Sequence, residues 1–468
     1  MTVSTRQVVV VGGGPAGMSA AVAATGLGAQ VCLIDEREAL GGSPDTPGWG
    51  PAGERVNRAL VARVEASPIE TRLGTIVWGL WDRRLAVVGA DGPSGSVEAD
   101  RLIVAAGATE RPVIFPGWTL SGVVTAGEAL SWTRRLGAAA GRRVLVAGSG
   151  PELPALAARL HAAGARVVLV TEAAPPPSPR ALARLALATG GDLTGLRGGA
   201  DRAYLRRHRV PFLRSHLIAR AVGDEEVAQA VVVGVERDWR PRPGTERTVD
   251  VDLVCLAYGL VPSTELTLLR GARHVDDDTR GGRVPVYDAW MRTTAAGLLV
   301  AGDCAGIGGG RQALAEGRLA GTASAMDVGR VTRDEAERLA APVRRHLRRL
   351  RRRRRILDEV YRAGPGLYEL AEPDTIVCRC EAISARQVIA CLDESAGDVN
   401  SVKAATRAGM GLCQARWCAR QLLAFVARHL GKPMGELPGF TPRPPVRPVP
   451  LGAIAEERPE RPRVPVID

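Results

Sequence analysis

The chain has 468 residues, 46% of them hydrophobic and 24% charged, with a formal net charge of +12 at pH 7. This length predicts about three domains, and the apolar content excludes a wholly disordered chain. Twelve arginines and five acidic residues in 333–362 contribute +7 of the +12. Because the charge is local, it does not indicate a nucleic-acid-binding face over the whole protein.

The N-terminus has the pattern of a dinucleotide-binding unit. Residues 8–11 (VVVV) are typical of a buried parallel strand, and they run into residues 12–17 (GGGPAG) and an alanine-rich helix pattern. In such a unit Gly12 permits the tight turn, Gly14 lets the backbone approach a pyrophosphate, and Gly17 lets the helix pack on the strand. The helix N-terminus then faces the phosphates.

A second strand follows the first helix. Residues 30–34 lead into Asp35 and Glu36 and place an acid 23 residues after Gly12, where it would hold the ribose hydroxyls of adenosine. The apolar run over 8–34 is long enough to cross a membrane, but three glycines and Pro15 interrupt it. We therefore predict neither a membrane span nor a signal peptide.

FAD is favoured over NAD by a motif much later in the chain. Residues 297–303 (GLLVAGD) are typical of a buried strand that ends in Gly302 and Asp303. In flavoproteins with two dinucleotide domains, such an aspartate binds the ribityl chain of FAD. Gly-Asp alone is also a common turn pair, so the motif indicates FAD only together with the N-terminal glycines.

The middle of the chain repeats the pattern. A strand at 143–147 leads into residues 148–153 (GSGPEL), a helix pattern and a second strand that ends near Glu172. This order predicts an α/β fold with two Rossmann-type dinucleotide-binding domains, the second inserted in the first. Leu153 occupies the third glycine position. Two interpretations therefore stay open: NAD(P) or another nucleotide in this domain, or a retained fold with an empty or repurposed pocket.

Cysteine positions exclude a flavin disulfide reductase. Such enzymes need a redox-active cysteine pair beside the flavin, yet the Gly-Gly pair ending at Gly42 is followed by Ser43, and no cysteine occurs between Cys32 and Cys255. We interpret Cys32, Cys255 and Cys304 as small core residues. Eight cysteines are too few for a disulfide scaffold and fit a reducing cytoplasm.

Near the C-terminus, Cys378, Cys380, Cys413 and Cys418 form a C-x-C and a C-x4-C pair separated by 32 residues. Four thiolates suit zinc or an iron–sulfur cluster. Structural zinc usually prefers C-x2-C, so this spacing favours a [2Fe–2S] cluster, with zinc left open. Cys391 follows a capping box in a helix pattern, and we predict that it is a core residue.

Two further segments have distinct compositions. Apolar residues recur at helical spacing through 339–360, which predicts an amphipathic linker helix with a solvated basic face; docking to an acidic partner is the alternative. Residues 438–468 are rich in proline and arginine, and we expect an extended arm rather than a packed domain.

Several strings resemble a known family over essentially the whole chain: 102–127 (LIVAAGATERPVIFPGWTLSGVVTAG), 258–266 (YGLVPSTEL), 315–321 (AEGRLAG), 376–381 (IVCRCE) and 409–418 (GMGLCQARWC). They are similar to the flavoprotein (α- or A-type) subunit of heteromeric bacterial amino-acid and opine dehydrogenases. Members include the FAD subunit of hydrogen cyanide synthase, the A-type subunits of octopine and nopaline oxidases, and the α-type subunits of proline and hydroxyproline dehydrogenases. The end of such chains resembles a bacterioferritin-associated ferredoxin domain.

The resemblance implies an FAD-binding domain in two parts (1–112 and 285–330), an inserted NAD(P)-binding-like domain (113–284), an arginine-rich linker (331–372), a [2Fe–2S] domain (373–432) and a C-terminal arm (433–468). It places FAD contacts on Gly12, Gly14, Gly17, Asp35, Glu36, Gly42, Gly107, Gly302 and Asp303. It places cluster ligands on Cys378, Cys380, Cys413 and Cys418. The chain departs from the pattern at Ser43, where many relatives have Gln, and at Cys418, since bacterioferritin-type ferredoxins have C-x2-C.

The expected function is electron transfer in the cytoplasm, with at most peripheral membrane contact and no nucleic acid. No constellation of His, Asp or Ser suggests a base that deprotonates an amino acid, imino acid or opine. In the family a glycine-oxidase or D-amino-acid-oxidase-like subunit with its own flavin oxidises the substrate, and a small ferredoxin-like subunit is a further candidate partner. FAD accepts two electrons, whereas a [2Fe–2S] cluster carries one. The two cofactors together therefore suit the conversion of two-electron transfer into one-electron transfer.

Two alternatives remain. A self-sufficient NAD(P)H-dependent flavin oxidoreductase would use the inserted domain, and there Glu172 would favour NADH, because an acid repels a 2′-phosphate. A non-catalytic protein that acts through its basic segment leaves the dinucleotide and cysteine motifs unexplained.

Overall fold

The N-terminal apolar run is the centre of the first sheet in the computed structural model, which describes residues 3–42, 50–89, 94–189, 194–394 and 397–456. The first elements are β1 (Val3–Val11), α1 (Pro15–Thr25), β2 (Val31–Ile34), α2 (Gly50–Glu65), β3 (Glu70–Arg72), β4 (Thr75–Trp81), β5 (Arg84–Gly89) and β6 (Ser94–Val104). The strand order is β3-β2-β1-β6-β5-β4. Strand β1 pairs in parallel with β2 and β6, so its valines at 8–10 are fully buried.

After β6 the chain builds a second unit. Its elements are β7 (Ala108–Glu110), β8 (Val123–Thr125), α3 (Ala126–Leu136), β9 (Arg143–Gly148), α4 (Leu153–Ala162), β10 (Arg166–Glu172), α5 (Pro179–Thr189), α6 (Thr194–Arg207), β11 (Phe212–Arg214), β12 (His216–Val222), β13 (Gln229–Gly234), β14 (Arg247–Asp250), β15 (Leu253–Ala257), β16 (Leu260–Pro262), α7 (Glu265–Leu269), β17 (His274–Asp277) and β18 (Gly282–Pro285). A parallel sheet has the order β11-β10-β9-β15-β8, and β12-β13-β14 form an antiparallel sheet. The pair β7–β16 links this unit to the first.

The chain then returns to the first sheet. Strand β19 (Leu298–Val300) pairs in parallel with β6, and α8 (Gly310–Asp327) follows it and packs on α1. One dinucleotide-binding unit is therefore inserted in another, which confirms the α/β fold predicted from the sequence.

The arginine-rich segment is one long helix, α9 (Arg333–Tyr361), whose N-cap Thr332 accepts a hydrogen bond from the Glu335 amide. The amphipathic helix is confirmed. The prediction that its arginines form only a solvated face is wrong at two positions. The Arg344 guanidinium lies 4.0 Å from the Trp290 ring centroid, and Arg351 reaches inward to a buried carboxylate.

A small module follows, with β20 (Ile376–Cys378), β21 (Ile383–Ser384), α10 (Ala385–Glu394), α11 (Val399–Thr406) and α12 (Ala419–His429). The predicted capping box is present, because Ser384 and Gln387 each bond the other's backbone amide. Apolar residues of the module share one core with the inserted unit. At this contact the rings of Trp118 and Trp417 stack with centroids 6.1 Å apart.

The C-terminal arm is extended before α13 (Leu451–Glu456), and it packs against the first sheet. Val446 is 3% exposed, and its amide donates to the Trp78 carbonyl at 2.8 Å. Ala453 of α13 is buried beside Trp78. The expectation for 457–468 lies outside the described residues. In the parts of the chain that the structure describes, no helix combines the length and apolarity needed to cross a membrane.

Close packing of α1 on α8 generates a prediction about stability. A Cβ at Gly321 would lie 2.2 Å from the Ala20 carbonyl oxygen, so Gly321→Ala must push the helices apart. We expect a loss of about 1–3 kcal/mol. Gly199 of α6 has open space around a built Cβ, so Gly199→Ala is the matched control and should gain about 0.5–1 kcal/mol. Thermal unfolding measures both; an unchanged midpoint for Gly321→Ala would contradict the packing argument.

Candidate functional site

The first glycine loop connects β1 to α1. Gly12 has φ +112°, and a Cβ there would lie 2.2 Å from the Ala105 carbonyl oxygen. A Cβ at Gly17 would lie 1.8 Å from the Gly12 oxygen. These two glycines are required by the protein's own packing. By contrast, the nearest atom to a Cβ at Gly14 is the Gly42 Cα at 3.8 Å. The space in front of Gly14, at the N-terminus of α1, suits a pyrophosphate.

The two acids after β2 have different roles. Asp35 is 8% exposed, and its carboxylate accepts hydrogen bonds from the Gly13 amide and, at 2.7 Å, from the Arg37 amide. Burial raises the pKa of Asp35. Its side chain therefore holds the glycine loop. The Glu36 side chain is 56% exposed and forms an ion pair with Arg447. Both acids therefore lie at the end of β2, Asp35 against the glycine loop and Glu36 toward the C-terminal arm.

Two more glycines lie around the loop. Gly42 has φ +73°, and its built Cβ would lie 3.1 Å from the Gly14 Cα, so Gly42 packs against the loop. Gly107, after β6, has φ +70° and open space around a built Cβ. Ser43, where the chain departs from the family pattern, lies outside the described residues.

The Gly-Asp turn after β19 completes this edge of the sheet. Gly302 has φ +79°, and its built Cβ would lie 2.7 Å from the Ala16 Cβ. The Asp303 Oδ1 accepts hydrogen bonds from the amides of Gly308 at 3.0 Å and Gly309 at 3.2 Å. This contact fixes the carboxylate at the N-terminus of α8, where the helix dipole favours negative charge.

Sequence reasoning missed one residue of this site. Glu316 of α8 is fully buried, and its Oε2 accepts from the Gly302 amide at 3.0 Å. Its Oε1 accepts from Gln312 at 3.0 Å and from Arg351 of α9 at 2.9 Å. Burial raises the pKa of Glu316, and the Arg351 charge opposes that rise. The available signal was an acid in the middle of a helix rich in alanine and glycine.

The structure brings all nine expected FAD contacts to the carboxyl ends of β1, β2, β6 and β19, the edge where open α/β sheets bind ligands. They are Gly12, Gly14, Gly17, Asp35, Glu36, Gly42, Gly107, Gly302 and Asp303.

The second glycine loop, between β9 and α4, has the same strand register as the first but different residues after its second strand. In the first sheet Val11 pairs with Ile34, so Asp35 is level with Gly12, the first glycine of the loop. In the second sheet Glu172 pairs with Gly148, which is the first glycine of the second loop. Glu172 is fully buried and accepts from the amides of Gly150 at 3.4 Å and Ala174 at 3.2 Å, and burial raises its pKa to about 7. Glu172 thus accepts hydrogen bonds from the second glycine loop as Asp35 does from the first.

The residue that corresponds to Glu36 in the second loop is Ala173. Leu153, in the third glycine position, is 2% exposed. The inserted unit therefore keeps the turn but presents no acid to a ribose at this place.

The four C-terminal cysteines come together in two pairs. The side chains of Cys418 and Cys378 form a hydrogen bond, and so do those of Cys413 and Cys380. Each pair joins one cysteine of each motif; Cys378 and Cys418 are buried, whereas Cys380 is exposed. Within the described ranges no three His, Cys, Asp or Glu side chains are arranged to hold one metal ion. Two thiol pairs match a two-iron cluster with four cysteine ligands.

The surroundings of Cys378 favour a thiolate. The pKa of Cys378 is lowered to about 6, first by the Cys418 thiol, and the Gly409 amide donates to its sulfur at 3.4 Å. The same contact raises the pKa of Cys418, whereas burial raises that of Cys413. Cys418 is the N-cap of α12, so the helix dipole also favours negative charge there.

The loop between Cys413 and Cys418 explains the unusual spacing. Gln414 and Ala415 both have left-handed backbones, with φ +50° and +64°. Two such residues in succession tighten the chain, so four intervening residues still bring the two thiols to one site. Gly411 packs against Cys380, because its built Cβ would lie 2.1 Å from the Cys380 Cβ.

The remaining cysteines lie apart from this site. Cys32, Cys255 and Cys304 are fully buried, as predicted. Burial raises the pKa of Cys32 to about 11 and that of Cys304 to about 12, so both stay protonated. Cys391 is half-buried at the edge of the core, less enclosed than predicted.

A buried polar network attaches the cysteine module to the hairpin β17–β18. Arg420, two residues after Cys418, is paired with Asp276 at 3.3 Å and Asp278 at 2.5 Å. Its Nε also donates to the Tyr368 hydroxyl at 3.1 Å. Arg111, beside β7, donates to the same hydroxyl at 2.5 Å. The module is therefore held against the link between the two dinucleotide units.

The chain matches two families. Residues 6–189 and 198–328 match "Pyridine nucleotide-disulphide oxidoreductase", and residues 376–428 match "BFD-like [2Fe-2S] binding domain". The matches cover the two glycine loops and all four clustered cysteines. They assign FAD and a [2Fe–2S] cluster as cofactors.

Individual relatives match almost end to end. Hydrogen cyanide synthase subunit HcnB of Pseudomonas aeruginosa is 33% identical over 463 residues, 95% of this chain and 97% of the relative. The A-type subunit of opine oxidase from Agrobacterium tumefaciens is 33% identical over 466 residues, 95% of this chain and 90% of the relative. Both names describe one subunit of a larger assembly.

A solved structure shares the fold. L-proline dehydrogenase from P. horikoshii superposes with a TM-score of 0.70 at 21% identity, covering 97% of this chain and 80% of that chain. The chain therefore belongs to the pyridine nucleotide-disulphide oxidoreductase family, among the subunits of heteromeric oxidases and dehydrogenases that add a BFD-like [2Fe–2S] binding domain, and it is an FAD-dependent oxidoreductase.

Proposed function

We propose that this chain is the electron-transfer subunit of a heteromeric enzyme that oxidises amino acids, imino acids or opines. One observation carries the proposal: the first glycine loop and a four-cysteine site stand in one chain, and Arg420 ties the cysteine module to the β17–β18 hairpin. Relatives named as opine oxidase and hydrogen cyanide synthase subunits support the substrate class.

The FAD-binding role falls on three groups of residues. Gly12, Gly14, Gly17, Gly42 and Gly107 shape the space for the pyrophosphate and the adenosine half. Asp35 and Glu36 bind the ribose, and Asp35 also accepts hydrogen bonds from the Gly13 and Arg37 amides. Gly302 and Asp303 bind the ribityl chain at the N-terminus of α8.

The cluster ligands in this proposal are Cys378, Cys380, Cys413 and Cys418. Bound FAD accepts an electron pair and a [2Fe–2S] cluster carries single electrons, which supplies the conversion that such a subunit needs. The protein's part is to hold thiolates next to backbone amides and the N-terminus of α12.

Substrate oxidation falls to a partner subunit of the glycine-oxidase or D-amino-acid-oxidase type, and a small ferredoxin-like subunit is a further partner in this proposal. The histidines of this chain lie away from the first glycine loop, at positions 161, 208, 216, 274, 346 and 429. Burial lowers the pKa of His274 to about 4, so this histidine is neutral at pH 7. The chain's imidazoles are thus not placed to remove a substrate proton beside FAD.

The alternative of a self-sufficient NAD(P)H-dependent oxidoreductase is less well supported. It requires the inserted unit to hold the nicotinamide dinucleotide, and there Glu172 is buried on its own loop, with Ala173 in place of a ribose-binding acid. Anaerobic mixing with NADH distinguishes the two proposals. Only the NAD(P)H-dependent oxidoreductase requires rapid reduction of the flavin by NADH, which is seen as bleaching of its absorbance.

Gly14→Val should abolish FAD binding, because its side chain enters the space assigned to the pyrophosphate. Gly95 of β6 is the matched control, since its built Cβ also has 3.8 Å of clearance and a strand tolerates valine. Flavin absorbance per chain after gel filtration measures the effect. Full flavin content in Gly14→Val would contradict the assignment.

Serine substitution of Cys378, Cys380, Cys413 or Cys418 should each remove two irons per chain and the paramagnetic signal of the reduced cluster. FAD should be retained, because its contacts lie on another sheet. Cys391→Ser is the control and should keep both irons. Elemental analysis of the anaerobically purified proteins is the measurement. One zinc and no iron in the wild type, or an intact cluster in Cys418→Ser, would defeat the ligand set.

The isolated chain should not oxidise proline, hydroxyproline or an opine at a rate comparable to the complex, because no histidine stands among the proposed FAD contacts in the described part of the chain. Activity should appear on co-expression with an oxidase-like flavoprotein. Reduction of a dye acceptor by the purified chain and by the purified complex measures this difference. Equal rates would place substrate oxidation on this chain.

A further inference from the structure

One face of the long helix α9 is anchored in the protein. Val343 and Leu347 belong to the core of the first unit. Arg351 donates to the Tyr287 hydroxyl at 3.1 Å and to the buried Glu316 carboxylate at 2.9 Å. These contacts fix the position of the helix and its rotation about its own axis. The opposite face of α9 is therefore a surface of fixed shape.

That opposite face carries a dense positive charge. Residues 338–357 contain ten arginines and no acid. Five of the exposed arginines recur three or four positions apart and so lie on one side of the helix. We call them the arginine patch: Arg345, Arg348, Arg349, Arg352 and Arg355. The patch extends over about 15 Å of helix.

The arginine patch lacks counter-charges of its own. Elsewhere on the surface exposed arginines pair with acids, as Arg240 does with Glu369 and Arg386 with Asp374. Of the acids that the structure describes, none forms an ion pair with a patch arginine. Like charges three and four residues apart also destabilise a helix. The sequence thus keeps an unfavourable arrangement at the surface, which is typical of a site with a function other than folding.

We propose that the arginine patch is the docking surface for an acidic face of the oxidase-type partner subunit. The inference rests on the proposed function and assigns that partner a place on this chain. Guanidinium groups bind carboxylates through two parallel hydrogen bonds, and complementary charge steers association and fixes orientation. Because Arg351 ties the same helix to Glu316, which holds the Gly302 amide, the partner docks on an element of the FAD domain.

Two other anionic surfaces fit the arginine patch less well. A helix that lies on a membrane inserts apolar side chains into the bilayer. The buried apolar side chains of α9 face the protein's own core, and none of the exposed large apolar side chains in the described chain lies on this helix. Proteins that bind single-stranded nucleic acid add aromatic side chains on which bases stack, and residues 338–355 contain no Phe, Trp or Tyr.

Charge reversal separates docking from folding. In Arg348→Glu/Arg349→Glu each new acid stands three or four residues from Arg345 and Arg352, so attractive pairs replace repulsive ones on the helix. The isolated variant should therefore unfold at the same temperature as the wild type or higher, with unchanged FAD and iron per chain. The matched control is Arg206→Glu/Arg207→Glu, which reverses two adjacent exposed arginines on a different helix, α6.

The measurement is the dissociation constant of the complex with a co-expressed oxidase-type subunit, determined by sedimentation at low and at high salt. Arg348→Glu/Arg349→Glu should weaken the complex on the order of tenfold or more at low salt, whereas the control should not. The wild-type complex should weaken as salt is raised. The variant complex should respond less, because it has lost the attraction that salt screens.

A complex that is equally tight in Arg348→Glu/Arg349→Glu and in the control would refute the docking surface and leave the proposed function standing. A wild-type chain that forms no complex with an oxidase-type subunit would refute the proposed function, and the docking surface with it. Vesicles containing phosphatidylglycerol and duplex DNA test the other surfaces. Binding to either that the charge reversal abolishes, while the complex stays intact, would also overturn the inference.

Discussion

The organisation of the first dinucleotide unit depends on one buried carboxylate. Glu316 is excluded from water and yet meets three donors: the Gly302 amide, Gln312 and Arg351. Charge in such a place is tolerated only when it is paired and hydrogen-bonded, and removing one partner leaves a costly buried charge. Through Glu316 the turn that carries Asp303, the helix after it and the arginine-rich helix are fixed to one another. The long helix is therefore part of the cofactor domain and not only a connection to the next one.

The two glycine loops show how one local structure serves two purposes. In both, an acid at the end of the second strand accepts hydrogen bonds from amides of the loop itself, Asp35 in the first and Glu172 in the second. What differs is the next residue, Glu36 against Ala173. A fingerprint of glycines followed by an acid thus indicates the turn, and it does not by itself show that a nucleotide is bound.

Much of the fold was predictable because the relevant signals are local. Gly12 and Gly17 are demanded by close backbone approach, and the apolar strands beside them mark the sheet. The different burial of Asp35 and Glu36 was not predictable, because neighbouring acids look alike in sequence. Arg351 and Arg447 were also missed, since a pattern of periodicity does not reveal an ion pair with a residue distant in sequence. The spacing of the four cysteines identified them as one set. The sequence did not reveal the left-handed backbone at Gln414 and Ala415, which tightens the loop between Cys413 and Cys418.

The inserted topology has a consequence for how the protein is made. Strand β19 joins β6 only after about 200 intervening residues, and the arm reaches Trp78 later still. A nascent chain that has emerged only as far as the inserted unit has the first glycine loop but lacks Gly302, Asp303 and Glu316. Its exposed β6 edge must wait for a partner strand, and such an edge is open to wrong pairing meanwhile. We therefore expect the flavin site to be completed only when the chain beyond residue 303 has been made.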